Sequence, residues 1–305
     1  MEQNEEKIMR IIISGSSGFL GKHILERLAG SDMEIYALTS QIGTLAGFCE
    51  GFSNIKVSGK DALHNREIPV SADTVLINCA FPRNTRGENF AVGLDYISEL
   101  LQDAVNQGIG AVINISSQSV YDPQRDYAAD EESPVIPSSL YAVGKYASEM
   151  VTRAVCRDRS YTNIRLASLI GPGFDQRVVN KLVKFAISSG RISVKDNAQR
   201  FGFLDVEDAV SGILSILDLP AENWSNVYNL GGNQTYSLVE IARSIVSVFS
   251  DTYQKKVEVE IQKDDSAAKL NTALDCSRLQ KEAGYRQNIT LEESIRRIAG
   301  VCGGI

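Results

Sequence analysis

Residues 9–14 are a short apolar run containing Ile11, Ile12 and Ile13, and Gly15, Gly18 and Gly21 follow at intervals of three before residues 23–28 resume as an amphipathic helical pattern. A strand, a glycine turn and a helix in that order form the opening half of a βαβ unit, whose strands are buried on both faces of a parallel sheet. Apolar runs go on alternating with helical patterns to about residue 165. That rhythm predicts an α/β fold, a doubly wound parallel sheet with helices on both faces. Beyond Gly171 and Gly173 the alternation loosens: 174–200 reads as a helix and hairpin, and 233–270 as a helix and strand. No repeat or low-complexity linker interrupts the chain.

The glycine turn carries a chemical expectation of its own. Glycine lets the backbone turn tightly and approach an anion without a Cβ in the way, and the N–H groups at a helix start face that anion. Gly15, Ser17, Gly18, Phe19, Leu20 and Gly21 are therefore expected to hold a dinucleotide pyrophosphate. The adenosine ribose is selected at the end of the second strand, where an acidic residue marks NAD and a nearby arginine favours NADP. Thr39 and Ser40 stand there with neither charge. Small hydroxyls tolerate a 2′-phosphate without demanding one, so NAD and NADP both remain open.

Tyr141 and Lys145 are four apart and share one face of a helix. A free phenol has a pKa of about 10. A neighbouring ammonium, and the positive charge of an oxidised nicotinamide, favour the phenolate and lower that value. Tyr141 then accepts or returns a hydroxyl proton while hydride moves, and Lys145 also holds the nicotinamide ribose. Ser117, within residues 113–121, lies just past another apolar strand. Reactive groups collect at the carboxyl ends of such strands, and a serine hydroxyl there hydrogen-bonds the substrate oxygen.

Taken together, these segments resemble the extended short-chain dehydrogenase/reductase family of the NAD-dependent epimerase/dehydratase type, over nearly the whole chain. The resemblance implies a Rossmann sheet in residues 1–165 plus about 203–215, with a smaller, interleaved C-terminal substrate lobe in about 166–202 and 216–305. It places Asp61 and Ala62 near the adenine, Cys79 and Ala80 beneath the cofactor, Ser117, Tyr141 and Lys145 at the chemistry, and Ser168 and Arg200 toward substrate. A nucleoside-diphosphate sugar is the implied substrate, 4-epimerisation the leading activity, and pairing into a homodimer through 90–107 and 141–155 the implied assembly. An NADP(H)-dependent reductase or dehydrogenase of a keto sugar or other carbonyl is the alternative, and a non-catalytic dinucleotide-binding protein a third. The chain departs from the pattern at Gly93, Ser168, Phe201 and Asp205, where the family commonly carries Asn, Asn, Arg and His. Gln118 and Ser119 replace the acid pair with which dehydratases eliminate water.

Composition narrows the partners. A 43% hydrophobic and 23% charged chain of 305 residues is long enough to bury a full α/β core with a smaller lobe. The formal net charge of −7, with no basic stripe, argues against nucleic acid. No apolar stretch reaches transmembrane length, and the first residues lack a signal peptide's basic and apolar regions, which points to the cytoplasm. Five cysteines and two histidines show no metal-ligand spacing. Cys79 reads as a small buried thiol rather than a nucleophile. After the fourth strand, Phe81 is a candidate substrate contact, and Arg83, with Arg86, a candidate clamp for phosphate or carboxylate.

Overall fold

Strand β1 (Arg10–Ser14) has four consecutive buried residues, Ile11 to Ser14, as a strand covered on both faces requires. The computed structural model describes residues 9–82 and 87–303. After β1 the chain alternates through α1 (Phe19–Leu28), β2 (Glu34–Thr39), α2 (Ile42–Phe48), β3 (Ile55–Gly59), β4 (Thr74–Asn78), α3 (Gly87–Asn106), β5 (Ala111–Ile115), α4 (Leu140–Val155) and β6 (Ser160–Leu166). It continues with β7 (Ser168–Ile170), α5 (Val178–Ser189), β8 (Arg191–Asp196), β9 (Phe201–Asp205), α6 (Val206–Leu217), β10 (Val227–Leu230), β11 (Thr235–Tyr236), α7 (Leu238–Tyr253), β12 (Glu258–Lys263), α8 (Ser277–Ala283) and α9 (Leu291–Gly303).

By packing, the chain resolves into two units, Met1–Ser117 with Ser139–Ile164 and Ile216–Tyr228, and Gln118–Ser138 with Arg165–Ser215 and Asn229–Ile305. Residues 203–215 group with the second unit, because β9 pairs there with β7 and β11, and 216–228 return to the first.

The central sheet has seven strands in the order β10-β6-β5-β4-β1-β2-β3. The pairings from β3 across to β6 are all parallel. The order reverses between β1 and β4, and at such a switch point an open α/β sheet binds its ligands. A core of Ile12, Leu38, Leu76, Leu100, Leu101 and Val112 packs in this unit.

A buried polar row crosses that apolar sheet. Ser14, Asn78, Asn114 and Asn163 are successive register partners on β1, β4, β5 and β6. Ser14 Oγ donates to Asn78 Oδ1 at 2.6 Å, Asn78 Nδ2 to Asn114 Oδ1 at 2.9 Å, and Asn114 Nδ2 to Asn163 Oδ1 at 2.9 Å. Asn114 Nδ2 also reaches Ser148 Oγ on α4 at 3.3 Å. Each amide satisfies the next, as buried polar groups must.

In the second unit, α5, α7 and α9 supply Val183, Ile245 and Ile298 to a separate core. The hairpin expected within 174–200 does not form. Ile192 and Val194 of β8 are buried, and that strand pairs in parallel with β12, more than sixty residues onward.

Candidate active site

The glycine turn leaves β1 at the switch point. Gly15 has φ +69°, a left-handed conformation, and a Cβ on it would lie 2.7 Å from Ala80 N, so the end of β4 passes directly against the turn. A Cβ on Gly21 would lie 2.6 Å from Gly15 O and 2.8 Å from Ser16 Cα, which lets α1 pack onto the turn. Ser16 Oγ donates to Ile13 O at 2.7 Å and Gly18 N to Gly15 O at 2.9 Å, closing the loop on itself. At Gly18 no side chain caps α1. With no Cβ at the turn and backbone N–H groups at the helix start, the cradle fits a dinucleotide pyrophosphate.

The other residues expected at the cofactor lie in the same unit as this turn. Thr39 Oγ1 at the end of β2 donates to Ser17 Oγ at 3.0 Å and accepts from Gln41 N at 2.9 Å. The two hydroxyls thus form one polar edge beside the turn, with exposed Ser40 next to them. Asp61 is exposed and Ala62 buried in the turn after β3, where Ala62 N donates to Gly59 O at 3.1 Å. Cys79 N donates to Ser14 O at 3.1 Å, and burial pushes the Cys79 thiol up to about 12. It is a neutral thiol at neutral pH.

Ser117, Tyr141 and Lys145 belong to the same unit as the glycine turn. Ser139 caps α4 by accepting from Ala142 N at 3.2 Å, which sets where that helix begins and so where Tyr141 falls. Lys145 Nζ donates to Ile115 O at 2.7 Å, tying α4 to the carboxyl end of β5, two residues before Ser117. One turn on, buried Glu149 accepts from Ser116 Oγ at 2.5 Å. The strand carrying the serine and the helix carrying the tyrosine and lysine are therefore fastened at two points. Burial pushes the Lys145 ammonium down to about 8, against the opposing influence of Cys79 and Glu149.

Aromatic rings fill the space beside these groups. The Phe81 ring lies 4.3 Å from Lys145 Nζ and stands perpendicular to the Tyr141 ring, with centroids 5.6 Å apart and an interplanar angle of 87°. A Cβ on Gly144 would meet Phe90 Cε2 at 2.1 Å and Phe81 Cζ at 2.8 Å, and one on Gly93 would meet Pro82 Cγ at 2.4 Å. Gly93 thus has a steric reason: Pro82 occupies the place where a larger side chain would start.

The chain's family follows from its sequence across this fold. The profile of the NAD dependent epimerase/dehydratase family matches residues 11–231. The chain belongs to that family. Members similar to it include UDP-glucuronic acid decarboxylase 1 of Xenopus tropicalis, 24% identical over 96% of this chain and 72% of that protein. The dTDP-D-glucose 4,6-dehydratase of Mus musculus is 23% identical over 80% of this chain and 74% of that protein. Among solved structures, UDP-glucuronic acid 4-epimerase from Bacillus cereus, in complex with UDP-glucuronic acid and NAD, superposes with a TM-score of 0.81 at 20% identity, over 97% of this chain and 99% of that one. These likenesses establish the Rossmann-type fold of this family member.

Ser168 and Arg200, expected on the substrate side, lie in the second unit. Ser168 opens β7 and is half-buried. Arg200 gives its guanidinium to neighbours: Nη1 to Glu240 Oε2 at 2.5 Å, Nη2 to Thr235 O at 2.5 Å and Nε to Thr235 Oγ1 at 3.4 Å. Arg83 and Arg86 lie outside the described residues. Asp205, standing where the family commonly has His, is buried and accepts from Ser294 Oγ at 2.6 Å, Arg297 Nη1 at 2.6 Å and Glu207 N at 3.0 Å, a structural anchor for α6 and α9. Two features escaped the sequence reading. One is the amide row; its signal was a polar residue at the same depth in four apolar strands. The other is Asn180, buried in the first turn of α5, whose Nδ2 donates to Gly171 O at 2.7 Å while its Oδ1 has no protein partner. Among the described residues no group of three or more His, Cys, Asp or Glu is placed to hold a metal, and no helix is long and apolar enough to cross a membrane.

Proposed function

We propose that this protein is a nucleotide-sugar 4-epimerase that uses a tightly held NAD. The observation that carries the reading is the bond from Lys145 Nζ to Ile115 O, which ties the helix of Tyr141 and Lys145 to the strand end that leads into Ser117, in the same unit as the glycine cradle. When bound, the dinucleotide supplies the group that takes up and returns hydride. Tyr141 removes the proton from the sugar hydroxyl and gives it back, so its phenol needs a pKa near the working pH. Lys145 lowers that pKa by its positive charge. The Ser117 hydroxyl donates to the substrate oxygen and steadies it as a carbonyl forms. Relatives that act on UDP-glucuronic acid and dTDP-glucose support a nucleoside-diphosphate sugar as substrate. Gln118 and Ser119 favour epimerisation over dehydration, since neither side chain is the acid that an elimination requires. Val92 on α3 and Leu140, Val143 and Met150 on α4 are exposed apolar side chains, and they support pairing of two copies through these helices.

A second reading, a net NADP(H)-dependent reductase of a keto sugar, draws on the Ser17–Thr39 hydroxyl edge, which offers a 2′-phosphate no repelling carboxylate. Denaturing the purified protein and identifying the released dinucleotide by chromatography separates the two. Near-stoichiometric NAD fits a cofactor recycled in place. An empty protein that takes up NADPH reversibly refutes the epimerase and favours the reductase.

A further inference from the structure

We propose that Phe81 is a positioning residue of the active site, its ring face holding the Lys145 ammonium and its perpendicular packing fixing the Tyr141 ring; the functional part of this rests on the hydride-transfer reading above. The case begins with an unmet need. A buried ammonium has three donors and must replace the water it has lost. Among the described residues, Lys145 Nζ donates to one carbonyl, Ile115 O, at 2.7 Å. The face of the Phe81 ring, 4.3 Å away, is the other attractive surface. The negative face of an aromatic ring attracts a cation, most strongly where solvent is excluded. The charged or titratable groups acting on Lys145 are Cys79 at the end of β4 and Glu149 one turn along α4, with Tyr141 one turn back. Glu149 accepts from Ser116 Oγ and Cys79 is a neutral thiol, whereas the Phe81 ring presents its face to the ammonium.

The surroundings are shaped to keep the ring there. Pro82 follows it and restrains the Phe81 backbone to extended conformations. Gly144 lacks the Cβ that would strike Phe81 Cζ at 2.8 Å and Phe90 Cε2 at 2.1 Å, and Gly93 lacks the one that would strike Pro82. Two glycines on two helices thus clear the volume that the Phe81-Pro82 pair and Phe90 occupy. The edge-to-face arrangement with Tyr141, a favoured aromatic geometry, supports the orientation of that phenol.

The test reads Lys145 directly, without substrate. In cofactor-free protein carrying ¹³Cε-lysine, the Lys145 resonance is assigned by its loss in Lys145→Met and titrated through neutral and alkaline pH. Phe81→Leu keeps the apolar volume and removes the ring, and we expect its Lys145 midpoint about one unit below the wild type, which is about 1.4 kcal/mol. Phe81→Tyr keeps the ring, and the midpoint stays at the wild-type value. A wild-type midpoint in Phe81→Leu, or an equal shift in both variants, overturns the proposal. Should Phe81→Leu fail to fold, the wild-type protein still decides. Lys145 Hε protons beneath the ring resonate upfield of their random-coil positions, and random-coil shifts refute the placement. With a turned-over substrate, Phe81→Leu is expected to lower kcat and shift its pH profile at unchanged KM, with Phe81→Tyr restoring both. Failure of the hydride-transfer reading is told apart by Tyr141→Phe retaining turnover while the Lys145 titration still responds to Phe81.

Discussion

Removing Asn114 tests whether the amide row fastens the sheet beneath the active site. Asn114→Ala deletes an acceptor for Asn78 Nδ2 and a donor to Asn163 Oδ1, both at 2.9 Å, as well as the longer link to Ser148 Oγ at 3.3 Å. Ser148 Oγ keeps its bond to Lys145 O at 2.7 Å, so two groups are left unpaired in the sheet interior. Each orphaned buried polar group costs about 1–3 kcal/mol, which puts the variant roughly 2–6 kcal/mol below the wild type. For a packed unit of this size each kcal/mol lowers Tm by about 2–4 °C, so a fall on the order of 10 °C is expected. Urea unfolding followed by circular dichroism measures the loss at equilibrium, and calorimetry measures the shift in Tm. A double-mutant cycle sharpens the reading. Asn78→Ala removes the donor that Asn114→Ala strands, so the double variant costs less than the sum of the singles, by about 0.5–3 kcal/mol. A loss within about 0.5 kcal/mol, the range of an ordinary surface change, shows that the row contributes no fastening. Strict additivity shows that the two amides do not exchange the bond drawn between them.

Other perturbations address the site and the acid limit of stability. Tyr141→Phe removes the proton carrier and is expected to lower kcat by about 10²–10⁴ with cofactor binding retained; turnover near wild type rules out the proposed chemistry. Gly15→Ala forces φ +69° on alanine and drives a Cβ to 2.7 Å from Ala80 N; dinucleotide affinity measured by calorimetric titration should fall at least tenfold, and unchanged affinity contradicts the cradle. Glu34 is held at about 2 by a hydrogen bond from Lys56, with Arg10 and Tyr36 adding to it. Because its folded pKa is depressed, its contribution is complete above the unfolded value and is lost as pH falls from about 4.5 toward 2. Glu34→Gln is therefore expected to flatten stability against pH in that window, and an unchanged acid limb refutes the assignment.

Much of the fold is legible in the sequence because parallel strands buried on both faces must be almost wholly apolar. Ile11 to Ile13, Val75 to Ile77 and Ala111 to Ile113 announce themselves in this way. The glycine turn is legible for a related reason. Gly15 and Gly21 sit where no Cβ fits, so the backbone constraint is written into residue identity. Pairing partners across long sequence separations are a different matter. The alternation of β8 states that one face is buried, not which strand lies beside it, and a parallel partner more than sixty residues onward looks the same locally as a hairpin return. The grouping of 203–215 with β7 and β11 escapes for the same reason.

At the site, residue types were readable and the support behind them was not. Tyr141 and Lys145 are visible as a spacing, and Ser117 as a position past a strand. What holds them depends on neighbours that only the fold brings together: Ile115 O on the lysine, Ser116 on Glu149, the Phe81 ring beside Tyr141 and Lys145. Gly93 illustrates the consequence. Read alone against the family pattern, it is an asparagine lost. In the structure it makes room for Pro82, which follows the ring facing the lysine. An Asn at position 93 would place its Cβ 2.4 Å from Pro82 Cγ, against the residue that follows the ring. Gly93→Asn is expected to lower both stability and turnover. A variant that instead matched or exceeded the wild type in both would show that Pro82 yields readily and that the aromatic packing is incidental.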